Sequence, residues 1–142
     1  MIKVFFLSLP VYFFAVFFNT LAGFILCSEY IKEKIPALAG LAEFVENKKI
    51  KFAAGVGSLV AGICKLIWPV GIIIVGDIIP ALVCIGLGFA LLTDFFKENT
   101  AINEDTINRV DGLVAKNKKM IGGLGLVASA IHLLFAASPI FL

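Results

Sequence analysis

Charged side chains are scarce in this 142-residue chain. Asp, Glu, Lys and Arg together make up 15% of it, whereas hydrophobic residues make up 61%. Soluble domains have about 25% charged and about 45–50% apolar residues, so this chain has too few polar side chains to cover a surface in water. Its mean hydropathy of +1.05 agrees with that comparison. The composition excludes an ordinary soluble domain and predicts a single membrane domain, residues 1–142.

The sequence also lacks the short motifs of the common enzyme classes. It has no P-loop, no G-x-S-x-G, no H-E-x-x-H and no pair of carboxylates within an apolar run. Its one histidine and three cysteines, none of them in a C-x-x-C spacing, do not resemble a metal-binding set. We therefore expect no enzymatic activity, no cofactor and no metal ion.

A clear excess of charge of one sign is missing as well. The net charge is +2, and lysines alternate with acidic residues, which excludes a typical nucleic-acid-binding surface. Ten of the twelve basic residues lie in two polar segments, 32–51 and 97–119. Cytoplasmic loops of membrane proteins carry an excess of Lys and Arg. The pattern predicts a multi-pass protein of the bacterial inner (plasma) membrane, with both termini outside the cytoplasm.

Long apolar runs are what the chain has in abundance. No charged residue occurs in 4–28, which exceeds the ~20 residues that a helix needs to cross the hydrocarbon core. The run 52–93 contains only Lys65 and Asp77 as charged residues, and it must fold back near Pro69 because one helix of that length is about twice as long as the core is thick. The prediction is an all-α integral membrane fold with four transmembrane helices, at 4–27, 51–69, 77–96 and 120–139.

The two halves of the chain share an eleven-residue sequence motif. GFILCSEYIKE, residues 23–33, returns as GFALLTDFFKE, residues 88–98, with five identical positions. Each half holds two spans, an even number, so the halves should have the same orientation in the membrane. We predict two tandem (parallel, 2+2) helical-hairpin repeats, residues 1–69 and 70–142. Further landmarks keep one register: ENKKI with KNKKM, Gly55 with Gly125 and Pro69 with Pro139.

Both polar segments carry apolar residues at helical spacing. In the first, Pro36 is followed by Leu38 and Leu41, and in the second, Asn103 precedes Ile107 and Val110. This pattern predicts short amphipathic helices on the cytoplasmic membrane surface. The alternative is a docking helix for a soluble partner.

Four polar residues in or beside the predicted spans form the candidate polar intramembrane site: Asn19, Lys65, Asp77 and His132. Such groups are costly in hydrocarbon, so each requires a partner or a function. Asn19 is expected to form an interhelical hydrogen bond. His132, whose counterpart in the first repeat is Gly62, forms either a hydrogen bond in the bundle or a proton-handling or quinone-contacting site. Lys65 either extends to the lipid headgroups or pairs with Asp77, as a salt bridge or as a gating or ligand-binding pair.

The segment AGICKLIWP, residues 61–69, resembles a segment of the DoxX-like four-helix membrane proteins, some of which serve as quinone-linked accessory subunits. The resemblance covers nine residues. It implies a quinone-linked accessory role as one alternative.

The second and fourth predicted spans are rich in small residues, and the first is rich in phenylalanine. Small residues let helices approach closely in lipid. We therefore expect a non-catalytic protein that acts through helix packing, as a homo-oligomer or as an accessory subunit of a membrane complex. The alternative is a small transporter or channel with a polar site between the repeats. Expected partners are membrane lipids, further copies of the chain or other membrane subunits.

Overall fold

The computed structural model describes residues 2–68, 78–99 and 104–135, and these ranges are helical without any strand. The prediction of an all-α chain is confirmed for them. In chain order the helices are α1 (Ile2–Leu26), α2 (Ser28–Lys34), a short 3₁₀ helix (Pro36–Leu38), α3 (Ala39–Val45), α4 (Lys48–Ile67), α5 (Ile79–Asn99) and α6 (Glu104–Phe135).

The first polar segment forms short helices because its sequence interrupts each of them. α2 leaves α1 at an angle of 67°. Pro36 begins the 3₁₀ helix, and α2 ends before it because a residue preceding proline is disfavoured in the helical conformation. Asn47 caps α4, since its Oδ1 accepts a hydrogen bond from the backbone nitrogen of Lys49 at 2.9 Å. Short helices in this segment match the prediction.

The four long helices pack as a bundle in the cyclic order α1, α4, α5, α6, and α1 also contacts α5 across the centre. The largest buried cluster lies between α1, α4 and α5, and it includes Ala22, Ile25, Ala54, Leu87 and Leu91. α2 and α3 pack on each other where α1 ends. The bundle therefore has a linker end, near α2 and α3, and an opposite end.

The second polar segment differs from its prediction. We expected a separate surface helix there, but α6 runs without interruption for 32 residues, about 48 Å at 1.5 Å per residue. No proline occurs in it, and lysine is a good helix former, so the lysine-rich stretch continues the helix. Pro69, Asp77, Asn103 and Pro139, on which several predictions depend, lie outside the described residues.

Among the described residues, α4 is long and apolar enough to cross a membrane by itself. The bent pair formed by Pro10–Leu26 of α1 and Ser28–Lys34 counts as a second candidate if it is one span. The apolar part of α5, Ile79–Thr93, is shorter. The described ranges thus hold one or two candidate membrane-spanning helices, which gives limited support for membrane association.

Candidate functional site

Two glycines bring neighbouring helices into backbone contact. A Cβ atom at Gly23 in α1 would lie 2.8 Å from the carbonyl oxygen of Gly122 in α6. A Cβ atom at Gly88 in α5 would lie 2.8 Å from the carbonyl oxygen of Gly55 in α4. Neither position has room for a side chain. The backbones of α1 and α6 are therefore in direct contact, and so are those of α5 and α4.

These contacts recur at constant sequence offsets. The glycines of α1 and α5 are 65 positions apart, and those of α4 and α6 are 67 apart. The same offsets match Leu126, whose backbone nitrogen lies 3.0 Å from a Cβ at Gly23, with Leu59, whose nitrogen lies 3.0 Å from a Cβ at Gly88. The α1–α6 and α5–α4 contacts therefore have the same local geometry.

The contact between α1 and α5 is reciprocal in the same way. Asn19 Nδ2 donates a hydrogen bond to the carbonyl oxygen of Pro80 at 3.4 Å. Cys84 Sγ donates to the carbonyl oxygen of Ala15 at 3.8 Å. Cys84 lies 65 positions after Asn19, and Pro80 lies 65 positions after Ala15, so each bond is the counterpart of the other. The interhelical hydrogen bond expected for Asn19 is present, and its Oδ1 has no hydrogen-bond partner among the described residues.

A buried polar cluster lies at the end of the bundle opposite the linkers. It consists of Tyr12, Lys65 and His132, from α1, α4 and α6. The Tyr12 hydroxyl donates a hydrogen bond to the carbonyl oxygen of His132, and the two rings lie 4.4 Å apart between centroids. Lys65 Nζ lies 5.1 Å from the centroid of the Tyr12 ring, within reach of a cation–π interaction.

The structure brings together only part of the predicted polar site. Lys65 and His132 share the cluster, whereas Asn19 lies two helical turns from Tyr12, about 10 Å along α1. Lys65 is 0% exposed, so its side chain does not extend to the surface of the bundle. Asp77 lies outside the described residues, and its salt bridge with Lys65 stays a prediction. Tyr12 was missed; the available signal was a hydroxyl on one aromatic ring within a phenylalanine-rich run.

The contact register also changes the counterpart of His132. In the sequence comparison Gly55 corresponds to Gly125, 70 positions later, and His132 then corresponds to a glycine. The contacts instead match Gly55 with Gly122, and the same offset of 67 matches Lys65 with His132. The two registers differ by three residues, nearly one helical turn, so both align similar helix faces.

At the linker end, one ion pair organises the first polar segment. Lys32 Nζ lies 2.7 Å from Glu46 Oε2, and the Ser28 hydroxyl donates to Glu46 Oε1 at 2.7 Å. Hydrogen bonds from Lys32 and then Ser28 hold the pKa of Glu46 below its ordinary value of 4.5, and the bond to the carboxylate raises the pKa of Lys32. A second ion pair joins Lys97 Nζ and Asp111 Oδ2 at 2.6 Å. Its two residues lie 65 positions after Lys32 and Glu46, respectively.

A sequence model of a protein family of unknown function matches residues 3–132. The chain belongs to this family. Neither a curated protein nor a solved structure matches the chain. The family match spans Tyr12, Lys65 and His132, so the buried polar cluster lies within the family domain.

The chemistry open to this family member follows from the donors in the cluster. A lysine ammonium, a tyrosine hydroxyl and an imidazole can each donate a hydrogen bond. Histidine is the side chain that most readily changes its charge near neutral pH. Among the described residues no group of three or more His, Cys, Asp or Glu is placed to hold a metal ion. The Tyr12 hydroxyl already donates to the carbonyl oxygen of His132, so Lys65 and His132 are the groups of the cluster suited to holding an anion or to transferring a proton.

Proposed function

We propose that this family member is a four-span membrane protein of a bacterial inner membrane. The observation that carries the proposal is an inside-out distribution of side chains. Asn19, Ser58 and Lys65 are 0% exposed, whereas Phe17 is 58% and Leu134 is 75% exposed. Water disfavours such a distribution, and lipid accepts an apolar exterior without cost.

All four long helices contribute to the exposed apolar surface. Its members are at least half exposed and lie between the two ends of the bundle. They are Phe13, Phe14 and Phe17 on α1, Val60, Ile63 and Ile67 on α4, Leu82 and Phe89 on α5, and Leu124, Val127, Ile131, Leu133 and Leu134 on α6. A belt around the whole bundle supports insertion of all four helices and not of α4 alone.

The proposal includes two tandem hairpin repeats, residues 1–69 and 70–142, in the same orientation. The recurring glycine contacts and the reciprocal bonds of Asn19 and Cys84 support it. Repeats of two spans each are related by an axis along the membrane normal. Both polar segments then lie on one side, which the lysine distribution assigns to the cytoplasm.

In this proposal the protein is non-catalytic and acts through helix packing, as a homo-oligomer or as an accessory subunit. The glycines at 23, 55, 88 and 122 are already used for contacts inside the bundle. Within the exposed apolar belt, the proposed surface for a membrane partner is the strip of Phe13, Phe14 and Phe17, each more than half exposed. Aromatic side chains provide large contact areas to a partner subunit or to lipid.

Single cysteines test the topology. In a variant without the three native cysteines, Gly40→Cys and Gly112→Cys each place one thiol in a polar segment, at positions where an added Cβ meets nothing within 4 Å. Both should react with a membrane-impermeant maleimide only after the cells are permeabilised. Trp68→Cys, at the opposite end, is the control and should react in intact cells. Labelling of the two polar segments from opposite sides of the membrane refutes the proposal.

The packing function is tested by the mass of the purified complex in mild detergent. Replacing Phe13, Phe14 and Phe17 with alanine should reduce an oligomer or a larger complex to the single chain. Replacing Val60 and Ile63 on α4 with alanine is the control for a general loss of apolar surface. A wild-type chain that is monomeric and without partners in native membranes contradicts this function.

The buried polar cluster favours a second candidate, a small transporter or channel. Lys65 and His132 occupy matched positions in the two halves, and Tyr12 contacts both. Proteoliposomes with a pH-sensitive dye inside test this function. His132→Ala should abolish proton flux, whereas Ser129→Ala, one turn away, should retain it. Wild-type flux no greater than that of empty liposomes eliminates this candidate.

A further inference from the structure

A charged groove lies between the end of α1, α2 and the middle of α6. Its volume is about 250 Å³, smaller than the sites that hold drug-sized ligands, which start at about 300 Å³. The lining side chains carry both signs of charge: Glu29 and Glu33 from α2, and Lys116, Lys118 and Lys119 from α6. Leu26, the last residue of α1, lines its apolar side.

The arrangement of these charges identifies the class of ligand. The lysines lie on one wall and the carboxylates on the other, and Lys118 Nζ and Glu29 Oε1 form an ion pair across the groove at 3.9 Å, a distance longer than a hydrogen bond. A ligand with an anionic and a cationic group can therefore form charge-assisted hydrogen bonds with both walls. We propose that the groove binds the headgroup of a phosphoethanolamine lipid, with its phosphate on the lysines and its ammonium on Glu29 and Glu33.

The aromatic residue of the groove distinguishes between the two common zwitterionic headgroups. A trimethylammonium group, as in phosphocholine, binds best over aromatic faces. In this groove the Tyr30 ring already has Lys119 Nζ 3.7 Å from its centroid. The partners that remain for the ligand's cation are carboxylates, which a primary ammonium can reach with three N–H donors. The groove therefore suits phosphoethanolamine better than phosphocholine.

The matched position in the other half lacks the tyrosine and the lysine that contact each other in the groove. The offsets that relate the glycine contacts match Tyr30 with Phe95 and Lys119 with Phe52. The rings of Phe52 and Phe95 are in contact, with centroids 4.5 Å apart. An aromatic pair thus stands where the groove has a tyrosine and a lysine. The lipid site is expected in one half only.

This inference rests on the proposed membrane function, because it requires the groove to lie at headgroup depth. The groove begins at Leu26, two residues before the end of the charge-free run 4–28, and its lysines belong to the second polar segment, which is assigned to the cytoplasmic surface. The acyl chains of the bound lipid then extend along the apolar surface of the bundle.

Native mass spectrometry of the full chain tests the site. The protein in mild detergent is incubated with equal amounts of phosphatidylethanolamine, phosphatidylcholine and phosphatidylglycerol with identical acyl chains. Wild type should retain one phosphatidylethanolamine in preference to the other two. Glu29→Gln combined with Glu33→Gln should lower that preference about 2- to 30-fold, since it removes two exposed ion pairs with the ligand's ammonium. Lys118→Gln should weaken the binding of all three lipids to a similar extent, because each of them carries the phosphate.

Lys51→Gln is the matched control, because the offset of 67 places Lys51 at the position of Lys118 in the other half, which has the contact between Phe52 and Phe95. It should leave lipid retention unchanged. Equal or greater retention of phosphatidylglycerol, or an unchanged preference in the double glutamate variant, overturns the inference. Retention of soluble glycerophosphoethanolamine as strong as that of the lipid also overturns it. If the cysteine topology holds and the lipid preference is absent, only this inference fails and the proposed membrane function stands.

Discussion

Replacing Gly88 with alanine tests one of the close backbone contacts between helices. The added methyl carbon would lie 2.8 Å from the carbonyl oxygen of Gly55 and 3.0 Å from the backbone nitrogen of Leu59. Ordinary contacts begin near 3.4 Å, and both neighbours are backbone atoms of α4 that cannot rotate away. α5 must therefore move away from α4 by roughly 0.6 Å, which weakens dispersion contacts along the pair.

The expected change in the free energy of unfolding has two opposing parts. Overpacking of this kind costs about 1–3 kcal/mol. Alanine favours a helix over glycine by up to about 1 kcal/mol. Gly88→Ala should therefore be destabilised by up to about 2 kcal/mol.

Gly86 provides a control on the same helix. A Cβ atom there meets nothing within 4 Å, so Gly86→Ala has the helix-propensity gain without the contact and should be stabilised by up to about 1 kcal/mol. The free energies are measured by titrating each variant in mild-detergent micelles with sodium dodecyl sulfate and following helicity. The difference between the two variants isolates the contact. Equal stabilities of Gly86→Ala and Gly88→Ala refute the reasoning.

α6 repeats the experiment with adjacent residues. A Cβ at Gly122 would lie 2.8 Å from the carbonyl oxygen of Gly23, whereas a Cβ at Gly123 meets nothing within 4 Å. If the two halves share one packing geometry, Gly122→Ala should lose stability relative to Gly123→Ala by the same 1–3 kcal/mol or so. A penalty in α5 without one in α6 contradicts the common geometry.

Three further predictions concern polar contacts. Tyr12→Phe removes the hydrogen bond to the carbonyl oxygen of His132 and should cost about 0.5–1.5 kcal/mol in the same titration; unchanged stability contradicts that bond. Because its two donors lower the pKa of Glu46 in the folded state, the stability advantage of wild type over Glu46→Gln should be present above pH 4.5 and disappear as the pH falls below it, in melts at several pH values. The exposed pair of Lys97 and Asp111 should contribute less than about 1 kcal/mol, so Asp111→Asn should be nearly neutral and less so at low salt.

The sequence predicts the helices well because their signals are local. The predicted spans 4–27 and 51–69 place α1 and the start of α4 within three residues of the structure. The structure of the second polar segment was predicted incorrectly, because its apolar spacing fits a short surface helix and a long continuous helix equally. Only the absence of a proline distinguishes the two, and glycine, which α6 contains four times before Val127, is tolerated at a cost.

The polar cluster is harder to predict from the sequence than the helices are. Lys65 and His132 stand out as ionisable groups in apolar runs, but Tyr12 does not, because tyrosine also occurs singly in lipid-facing surfaces. Its role depends on how α1 is rotated against α4 and α6, which follows from the Gly23 contact and not from local spacing. The choice between the 67 and 70 offsets depends on the same packing.

The two halves share their packing and differ in their polar groups. Gly23 matches Gly88, and Leu59 matches Leu126, so backbone contacts are the same in both halves. At matched positions, by contrast, the polar residues differ: Asn19 corresponds to Cys84, and Lys65 corresponds to His132. If the proposed repeats hold, identical close contacts keep the two helix pairs together, whereas a single ligand or proton needs only one set of donors. Specific chemistry in this protein is therefore expected where the matched residues differ, at the buried polar cluster and at the charged groove.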